Sequence, residues 1–528
     1  MVFSTEKNLD MLKVSLIAYT NEPYNLSIAS ARTCYSSKGI VYPDDVSKDE
    51  KSILLRDKIA DSTLKAGHLT TRQHPHFVFA IENISRMAVW SFLHSHPFYN
   101  SEQVSQRYVE VQPHQFYYPN SLERKQNIKD IYKITIQYQI ESYQNLIKIL
   151  MPYVQEEYYK IFPYRKKNSQ KWEKVIYKKA MEIARYVLPL ATYTYLYHTI
   201  SGITLYRYKK MAEISDVPKE TKDLVHKMWE CVYQIDPLYA KEMGDSLPIE
   251  ETPEYNFFIN FYENSSKTQK QWIQHFDKQI GNLYSKLVSY QTNIKEILID
   301  SIRSVLGYYD ENLSEETLLE YLLHPKYNKH LGSTLNETMH SKLNRVLYHV
   351  HFTFQKKISH TADSQDQRHR MVPASRPFLM QQYIGKPDYI TPTIIEKHSS
   401  LKEIYDNIMK KIFDLINQFL DYGATLEEAS YLLPNAFPVR FYESGDLLNL
   451  IHKWKMRTCF NAQEEIFHAS IQEITQIEEK FPFLKNYFRA PCSLRKMANM
   501  KPFCPEGDRF CGLPIWDFDL SRYHERIL

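Results

Sequence analysis

Glycine is scarce in this chain, which has 12 glycines among 528 residues. Loops that cradle phosphate groups with backbone amides depend on glycine, and the sequence contains neither a G-x-G-x-x-G segment nor a Walker-type loop. The usual glycine-based dinucleotide and nucleoside-triphosphate sites are therefore excluded. Any phosphate that this protein binds is expected to be held by side chains.

Closely spaced cysteine pairs are also missing. No C-x-x-C pair occurs, and the cysteine spacing fits no familiar zinc pattern. We therefore expect structural or free thiols and no metal, with a metal knuckle in the C-terminal segment as the alternative. The cysteines are Cys34, Cys231, Cys459, Cys492, Cys504 and Cys511.

Long apolar runs and a strong charge excess are absent as well. No run approaches the length that spans a bilayer, and the opening MVFSTEKNLDMLK is charged and lacks the apolar core of a signal peptide. We therefore expect a cytoplasmic protein with no membrane partner. The net charge of +4 does not by itself indicate nucleic acid, and the length predicts two or more hydrophobic cores.

The chain contains a weak tandem repeat. EIARYVLPLA from Glu182 matches EEASYLLPNA from Glu427 at six of ten positions, and HFVFAIENIS from His76 has a counterpart in HFTFQKKISH from His351. Both pairs occur in the same order but with different lags, which indicates insertions. The sequence therefore predicts two related domains, residues 1–265 and 266–528, called here the first and second copy.

Each copy is predicted to contain strands followed by helices. β-Branched and aromatic residues predict strands at MLKVSLIAYT, HFVFAIENIS and QRYVEVQPHQFYYP, and in the second copy at YHVHFTFQKKIS and PDYITPTI. Apolar periodicity predicts a helix over SLKEIYDNIMKKIFDLINQFLDYGA, which Ser400 caps and which ends near Gly423. A capping box is expected at Thr425 and Glu428.

Residues 127–171 are predicted to form the chief insertion of the first copy. They are rich in Tyr, Ile and Lys and indicate a helix. Such an aromatic and basic mixture could bind RNA, but a solvated amphipathic helix is the commoner origin of this pattern. We therefore expect no nucleic-acid partner.

The segment SQDQRHRMVPASRPF, from Ser364, concentrates positive charge. Arginine suits phosphate and carboxylate groups, and a glutamine three residues before an arginine shares its face on a helix. Gln365 and Arg368 are thus predicted to contact one anionic ligand and Arg370 a second. The alternative is a surface cluster that pairs with Asp363 and Asp366.

QDQRHR after an FTF strand resembles the flavin-dependent thymidylate synthases, whose signature is R-H-R-x-x-S followed by N-E-x-S-x-R-Y. The second copy supplies the first part and lacks the later one. The first copy does the reverse: His94 remains, Leu93 and Ser95 replace the arginines, and two single-residue insertions interrupt the later part. The matching residues are Gln365, Arg368, His369 and Arg370 in the second copy, and Asn100, Glu102, Ser105, Arg107 and Tyr108 in the first.

Two further motifs of this family are divided between the copies in the same way. ARYVLP in the first copy supplies Arg185, where the second copy has Ser430. KMRTCFNAQEEI in the second copy supplies Arg457, and the first copy has no equivalent. Because the family's sites lie between subunits, the surviving parts are those that one site requires.

The resemblance implies an α+β fold with two tandem copies of the family's domain, each a mostly antiparallel sheet with packed helices. It implies methylation of dUMP to dTMP with methylenetetrahydrofolate as the carbon donor and NADPH-reduced FAD. Arg457 would stabilise the pyrimidine anion. The implied dUMP-binding residues are Gln365, Arg368, Glu102, Ser105, Arg107 and Arg185. The implied flavin-binding residues are Arg368, His369, Arg370, Cys34, His452 and Asp446.

The lost arginines and the insertions leave a second hypothesis open. A non-catalytic nucleotide-binding or scaffolding protein could descend from the same fold. The family is tetrameric, so a fused pair is expected to form a homodimer that acts as a pseudo-tetramer.

Overall fold

The computed structural model describes residues 12–93, 98–214, 217–241, 247–261 and 266–528. Their chain forms eight strands. The strands are β1 Lys13–Tyr19, β2 His76–Ser85, β3 Tyr99–Gln103, β4 Tyr193–Ser201, β5 Ser285–Tyr290, β6 His351–Ser359, β7 Ala374–Ser375 and β8 Pro438–Asp446.

Helices make up most of the remaining regular structure. They are α1 Pro23–Thr33, α2 Glu50–Lys65, α3 Arg86–Leu93, α4 Gln126–Ile161, α5 Ser169–Ala184, α6 Gly202–Ile214, α7 Lys219–Ile235, α8 Pro237–Lys241, α9 Pro253–Phe261, α10 Ser266–Ile280, α11 Ile294–Leu306, α12 Glu315–Leu323, α13 His360–Asp366, α14 Thr393–Lys397, α15 Ser399–Asp421, α16 Leu426–Ser430, α17 Leu447–Arg457, α18 Glu464–Lys480, α19 Pro491–Met497 and α20 Leu520–Tyr523.

The strands form two four-stranded sheets with the same topology. Their orders are β1-β2-β4-β3 and β5-β6-β8-β7, and every pairing is antiparallel. A register irregularity falls at the same place in both, between Leu16 and Ala18 and between Leu287 and Ser289. The predicted α+β fold with two tandem copies is therefore confirmed.

The strands β2 and β6, which hold equivalent places in the two sheets, differ by one residue, and this accounts for one residue of the unequal lag between the sequence repeats. β2 is 10 residues long and β6 is nine. The extra residue lies where the β2–β4 register shifts between Ile81 and Ile84, and Asn83 there has a φ of 58°. The β6–β8 pairing runs without such a shift.

Some predicted elements are confirmed and others are wrong. The strands β1, β2 and β6 and the capping box at Thr425 and Glu428 are present. The strand predicted over residues 106–119 is wrong, because β3 already pairs with β4 and the segment contains Pro113, which has no amide to donate. The strand predicted over residues 387–394 is also wrong, since two prolines interrupt it and α14 begins at its end.

Five strands were not predicted, namely β3, β4, β5, β7 and β8. The predicted helix over residues 400–424 is confirmed as α15, which begins at Ser399, so Ser400 lies inside the helix rather than capping it. Gly423 follows its end with a φ of 91°, as expected for a residue that terminates a helix.

The chain divides into two compact units, each of which is built from three separate stretches of the sequence. Unit 1 comprises Met1–Glu141, Leu188–Ser265 and Leu415–Leu433; unit 2 comprises Ser142–Val187, Ser266–Asp414 and Pro434–Leu528. Two of the five divisions fall inside helices, one in α4 and one in α15. The linear domain boundary at residue 265 stays a prediction about the duplicated sequence.

Each unit has its own hydrophobic core. In unit 1, Phe77 and Phe79 of β2 pack with buried residues of α1, α3 and α7. In unit 2, Phe352 and Phe354 of β6 pack with residues of α11, α12 and α17, and Trp454 is fully buried there. Burial of these inward-facing strand residues fixes which face of each sheet is covered.

Candidate functional site in unit 2

The segment that carries the RHR motif follows α13. Ser359 caps this helix, because its Oγ accepts a hydrogen bond from the Ala362 amide at 3.1 Å. The helix ends at Asp366, whose carbonyl accepts from the His369 amide at 3.0 Å in the following turn. The premise that Gln365 and Arg368 share a helical face is therefore wrong, since Arg368 lies beyond the helix end.

Arg457 lies at the end of α17 and contacts this segment. Its Nε donates to Nε2 of His369 at 2.8 Å, and its Nη2 donates to the carbonyl of Gln365, also at 2.8 Å. Three residues from the sequence prediction, Gln365, His369 and Arg457, thus lie together. The guanidinium is held at two points, which fixes its plane.

The Arg457 contact determines the protonation state of His369. Arginine remains protonated and can only donate, so Nε2 of His369 must be an acceptor and the ring proton lies on Nδ1. Burial is the largest cause that lowers the pKa of His369, and the Arg457 charge is the next; together they hold this pKa well below its usual range. His369 is therefore neutral at physiological pH.

His452 on α17 lies beside His369. The ring centroids are 6.0 Å apart with an interplanar angle of 68°, and burial, with the charges of Lys455 and Arg457, lowers the pKa of His452 to about 4. Nδ1 of His452 and Nε2 of Gln365 are buried polar atoms, and neither has a hydrogen-bond partner among the described residues. Buried polar atoms ordinarily have a hydrogen-bond partner, so these two atoms are candidates to hydrogen-bond a bound ligand.

Asp446 begins the same helix. Its Oδ1 accepts from the Asn449 amide at 2.9 Å, and its Oδ2 accepts from Nδ2 of Asn449 at 2.7 Å. Both carboxylate oxygens therefore serve to cap α17. A flavin contact by Asp446 stays a prediction.

Arg368 is exposed and Arg370 is half-buried. The two carboxylates that the surface-cluster alternative invoked have other cationic partners. Asp363 binds Arg376, with Nη2 to Oδ1 at 2.7 Å, and Asp366 binds Lys356, with Nζ to Oδ2 at 2.7 Å. The structure therefore gives both acids structural roles.

Arg185 also belongs to unit 2 and is buried. Its Nε donates to the carbonyl of Glu182 at 3.2 Å. The neighbouring Tyr186 hydroxyl donates to Glu465 at 2.5 Å, and the same carboxylate accepts from the hydroxyl of Ser359 at 2.5 Å. The turn that carries Arg185 is thereby joined to the start of α13, although the prediction grouped Arg185 with residues of the first copy.

The other predicted first-copy residues lie in unit 1. Glu102 is exposed on β3, opposite Tyr197. Oγ of Ser105 accepts from the Arg107 amide at 3.2 Å, so both lie in one turn after β3. Cys34 is exposed at the end of α1.

The roles of these unit 1 residues in ligand binding stay predictions. Leu93 is buried at the end of α3. His94 and Ser95, which the sequence matched to the RHR motif, lie outside the described residues.

One prominent feature was missed by the sequence analysis. Two lysines and three carboxylates, each at most 1% exposed, form a buried charge cluster beneath the RHR segment. A period-two reading of β6 could have indicated one member, because Lys356 takes the inward position after Phe352 and Phe354. The members are Lys356, Asp366, Glu443, Lys453 and Glu473.

The sequence model of the family described as thymidylate synthase complementing protein matches residues 15–238 and 286–483, which is more than half of the chain. The chain belongs to this family. Among curated members, it is 26% identical to a flavin-dependent thymidylate synthase of Clostridium tetani, over 46% of this chain and 91% of that protein.

A second member of the thymidylate synthase complementing protein family is similar over a longer stretch. The flavin-dependent thymidylate synthase of Saccharolobus solfataricus is 27% identical over 56% of this chain and 98% of its own length. Among solved structures, a UMP/dUMP methylase from Streptomyces cacaoi bound with 5-Br dUMP is 16% identical over 44% of this chain and 94% of its own, with a TM-score of 0.33.

Two further findings concern the described part of the chain. No helix there is long and apolar enough to cross a membrane. No group of three or more His, Cys, Asp or Glu residues among those placed by the structure could hold a metal ion.

Proposed function

We propose that this protein is a flavin-dependent thymidylate synthase that methylates dUMP to dTMP. The proposal is supported by family membership together with one observation, the double anchoring of Arg457 by His369 and Gln365. A guanidinium held in this way is a preorganised positive charge. Such a charge stabilises an anion that develops during reaction, because no reorganisation is needed at that moment.

The residues of unit 2 fit a flavin nucleotide by the chemistry of their donors. Arg368 and Arg370 supply cations for phosphate groups, and Nε2 of Gln365 and Nδ1 of His452 are buried polar atoms without partners among the described residues. Reduced FAD, when bound, supplies reducing equivalents and transfers the one-carbon unit from methylenetetrahydrofolate. NADPH is proposed as the reductant.

The chain's own residues bind and polarise the nucleotide. Arg457 lies at the pyrimidine edge in this proposal and stabilises negative charge as C5 becomes nucleophilic. Arg107, Ser105 and Arg185 bind the phosphate, because arginine and hydroxyl donors suit its oxygens. Gln365, Arg368 and Glu102 complete the dUMP-binding set, and Arg368 also contacts the flavin.

Turnover of purified protein tests the proposal. The protein should be yellow, retain FAD through gel filtration and form dTMP from dUMP, methylenetetrahydrofolate and NADPH. A colourless protein that takes up no added FAD and forms no dTMP would instead support the non-catalytic nucleotide-binding alternative.

We further propose a homodimer with one working nucleotide site per chain. Two fused copies in each of two chains supply the four domains of a tetrameric family member. Light scattering checks the mass of the particle, and dUMP titration checks the stoichiometry. A fully active monomer, or two equivalent sites per chain, contradicts this assembly.

A further inference from the structure

The buried charge cluster defined above joins four elements, β6, β8, α17 and α18, to Asp366 at the end of α13. Lys356 of β6 contacts Asp366 at 2.7 Å, Glu443 at 3.1 Å and Glu473 at 3.2 Å. Lys453 of α17 contacts the same three carboxylates, with Asp366 at 3.4 Å and Glu473 at 3.5 Å. Every ammonium thus contacts every carboxylate, and the arrangement has directional contacts that apolar packing lacks.

Stability alone does not account for such a cluster. Removing charges from water costs free energy that their mutual attraction only partly offsets, and apolar residues of similar volume are often equally stable in such places. The other sheet of this protein provides the comparison. Its corresponding positions can be identified from the strand registers.

Glu443 pairs with Phe354 across β6 and β8, and His198 pairs with the corresponding Phe79 across β2 and β4. Two residues beyond these phenylalanines lie Lys356 on β6 and Ile81 on β2. Lys453 follows Glu443 by ten residues, as Tyr208 follows His198.

The last two positions follow from a shared contact. Ser359 donates its amide and hydroxyl to Glu465, and Ser85 does the same to Glu220. Counting from these landmarks, Asp366 corresponds to Phe92 and Glu473 to Met228.

The first copy therefore fills the same space without an ion cluster. Its five residues are all buried, and Phe92 packs against His198 and Tyr208 with ring centroids 5.4 and 5.7 Å away. The buried set is Ile81, Phe92, His198, Tyr208 and Met228. An apolar and aromatic packing of this position is thus available to the fold.

The buried charge cluster occurs in the copy that carries Arg457. Lys453 precedes Arg457 by one helical turn on α17, whereas the first copy has Ala212 four residues after Tyr208. On the other side, Asp366 is adjacent to Gln365 and its carbonyl accepts from the His369 amide. The cluster therefore holds both the helix that carries the guanidinium and the segment whose groups bind it.

We infer that the buried charge cluster is a positioning device that sets α17 against the Gln365–Arg370 segment and so aligns Arg457 with His369. This inference rests on the proposed function for its catalytic consequence, but the alignment itself is a property of the chain. Asp366 is the key positioning residue, because it lies in the Gln365–Arg370 segment and contacts both lysines. Displacement of a catalytic group by about 1 Å can lower a rate about 100-fold.

The experiment compares three variants of the full-length protein. Asp366→Asn removes one carboxylate charge with little change of shape. Lys356→Met combined with Asp366→Leu removes one cation and one anion, so the net charge of the cluster stays the same, and it replaces both side chains with apolar atoms. Glu478→Gln is the matched control, because it breaks a comparably buried pair with Arg489, 2.8 Å apart in the same unit.

Two readouts separate positioning from stability. The pKa of His369, followed by NMR of histidine-labelled protein and assigned with His369→Asn, should rise in both Asp366 variants as Arg457 leaves the ring. Two charges act on it in opposite directions: the Arg457 charge lowers this pKa and has the larger effect, whereas the Asp366 charge raises it. Removal of the Asp366 charge with Arg457 still in place should therefore lower the pKa, so the direction of the shift reports the position of Arg457. The kcat for dTMP formation should fall about 10- to 100-fold, with little change in the KM for dUMP.

The outcomes are distinguishable. A double variant whose His369 pKa stays the same or falls and whose kcat equals that of the wild type overturns the inference, as does a Glu478→Gln variant that changes both readouts equally. If Asp366→Asn fails to fold, the double variant decides. If the wild-type protein forms no dTMP, the proposed function fails, whereas the His369 titration still decides whether the cluster aligns Arg457.

Discussion

Substitution of Arg457 offers the most direct test of the candidate site. The side chain makes two hydrogen bonds, from Nε to His369 and from Nη2 to Gln365, and hydrogen bonds of a charged group contribute about 1.5–3 kcal/mol each. Arg457→Lys keeps the charge and can retain one contact. Its kcat is therefore expected to fall roughly 10- to 150-fold, since each 1.36 kcal/mol is tenfold in rate.

Arg457→Ala also removes the charge. We expect kcat to fall about 10²- to 10³-fold, the usual result of losing a preorganised donor to a developing anion. The KM for dUMP should change little, because the charge matters most in the transition state. Steady-state kinetics of dTMP formation measure both constants.

Arg345→Ala provides the control for the Arg457 variants. This arginine lies exposed in the same unit, and its Nε donates to the Met339 carbonyl at 3.0 Å. Its kcat should match that of the wild type. Near-wild-type kcat in both Arg457 variants would refute the assignment of this guanidinium to the reaction.

Three further predictions concern the flavin, the phosphate and pH. Arg368→Ala and Arg370→Ala should each weaken FAD retention by about 1.5–3 kcal/mol, measured by flavin absorbance after gel filtration, whereas Leu93→Ala should retain FAD; equal loss in all three contradicts the assignment. Arg107→Ala should chiefly raise the KM for dUMP, and an unchanged KM excludes a phosphate contact. Burial raises the pKa of Glu465 from 4.5 to about 7, so the folded state binds this proton more tightly than the unfolded state. The stability that this proton contributes is therefore lost as pH rises from 4.5 to 7. Glu465→Gln should flatten that part of the Tm-against-pH curve, and an unchanged slope contradicts the assignment.

Near the second copy's motif, the sequence predicted the strand β6 from its β-branched and aromatic residues but neither β7 nor β8. The family resemblance assigned Gln365, His369 and Arg457 to one site, and the structure brings these three residues together. The helical face assumed for Gln365 and Arg368 was wrong. Spacing alone cannot show where a helix ends. The helix α13 ends at Asp366, and no proline or glycine at that point marks the end in the sequence.

The buried charge cluster and the location of Arg185 could not have been obtained from spacing. The five charged residues lie on different elements, and apart from Lys356 on β6 each resembles an ordinary surface residue in the sequence. Arg185 belongs to unit 2 because Tyr186 binds Glu465, which lies 279 residues later. Long-range contacts of this kind carry no local signal in a single sequence.

The stretches of the two units alternate along the sequence, and this has a consequence for biosynthesis. Unit 1 includes Leu415–Leu433, so ribosomal synthesis must pass residue 433 before that unit has all its parts. Domains generally fold in the order in which they emerge, but here the N-terminal portion must wait for a distant segment. During that interval the surface that Leu432 and Leu433 later bury is open to solvent, so the nascent chain depends on rapid completion or on chaperone protection. A gene fragment that ends at residue 265 would therefore encode an incomplete unit rather than a smaller version of the protein.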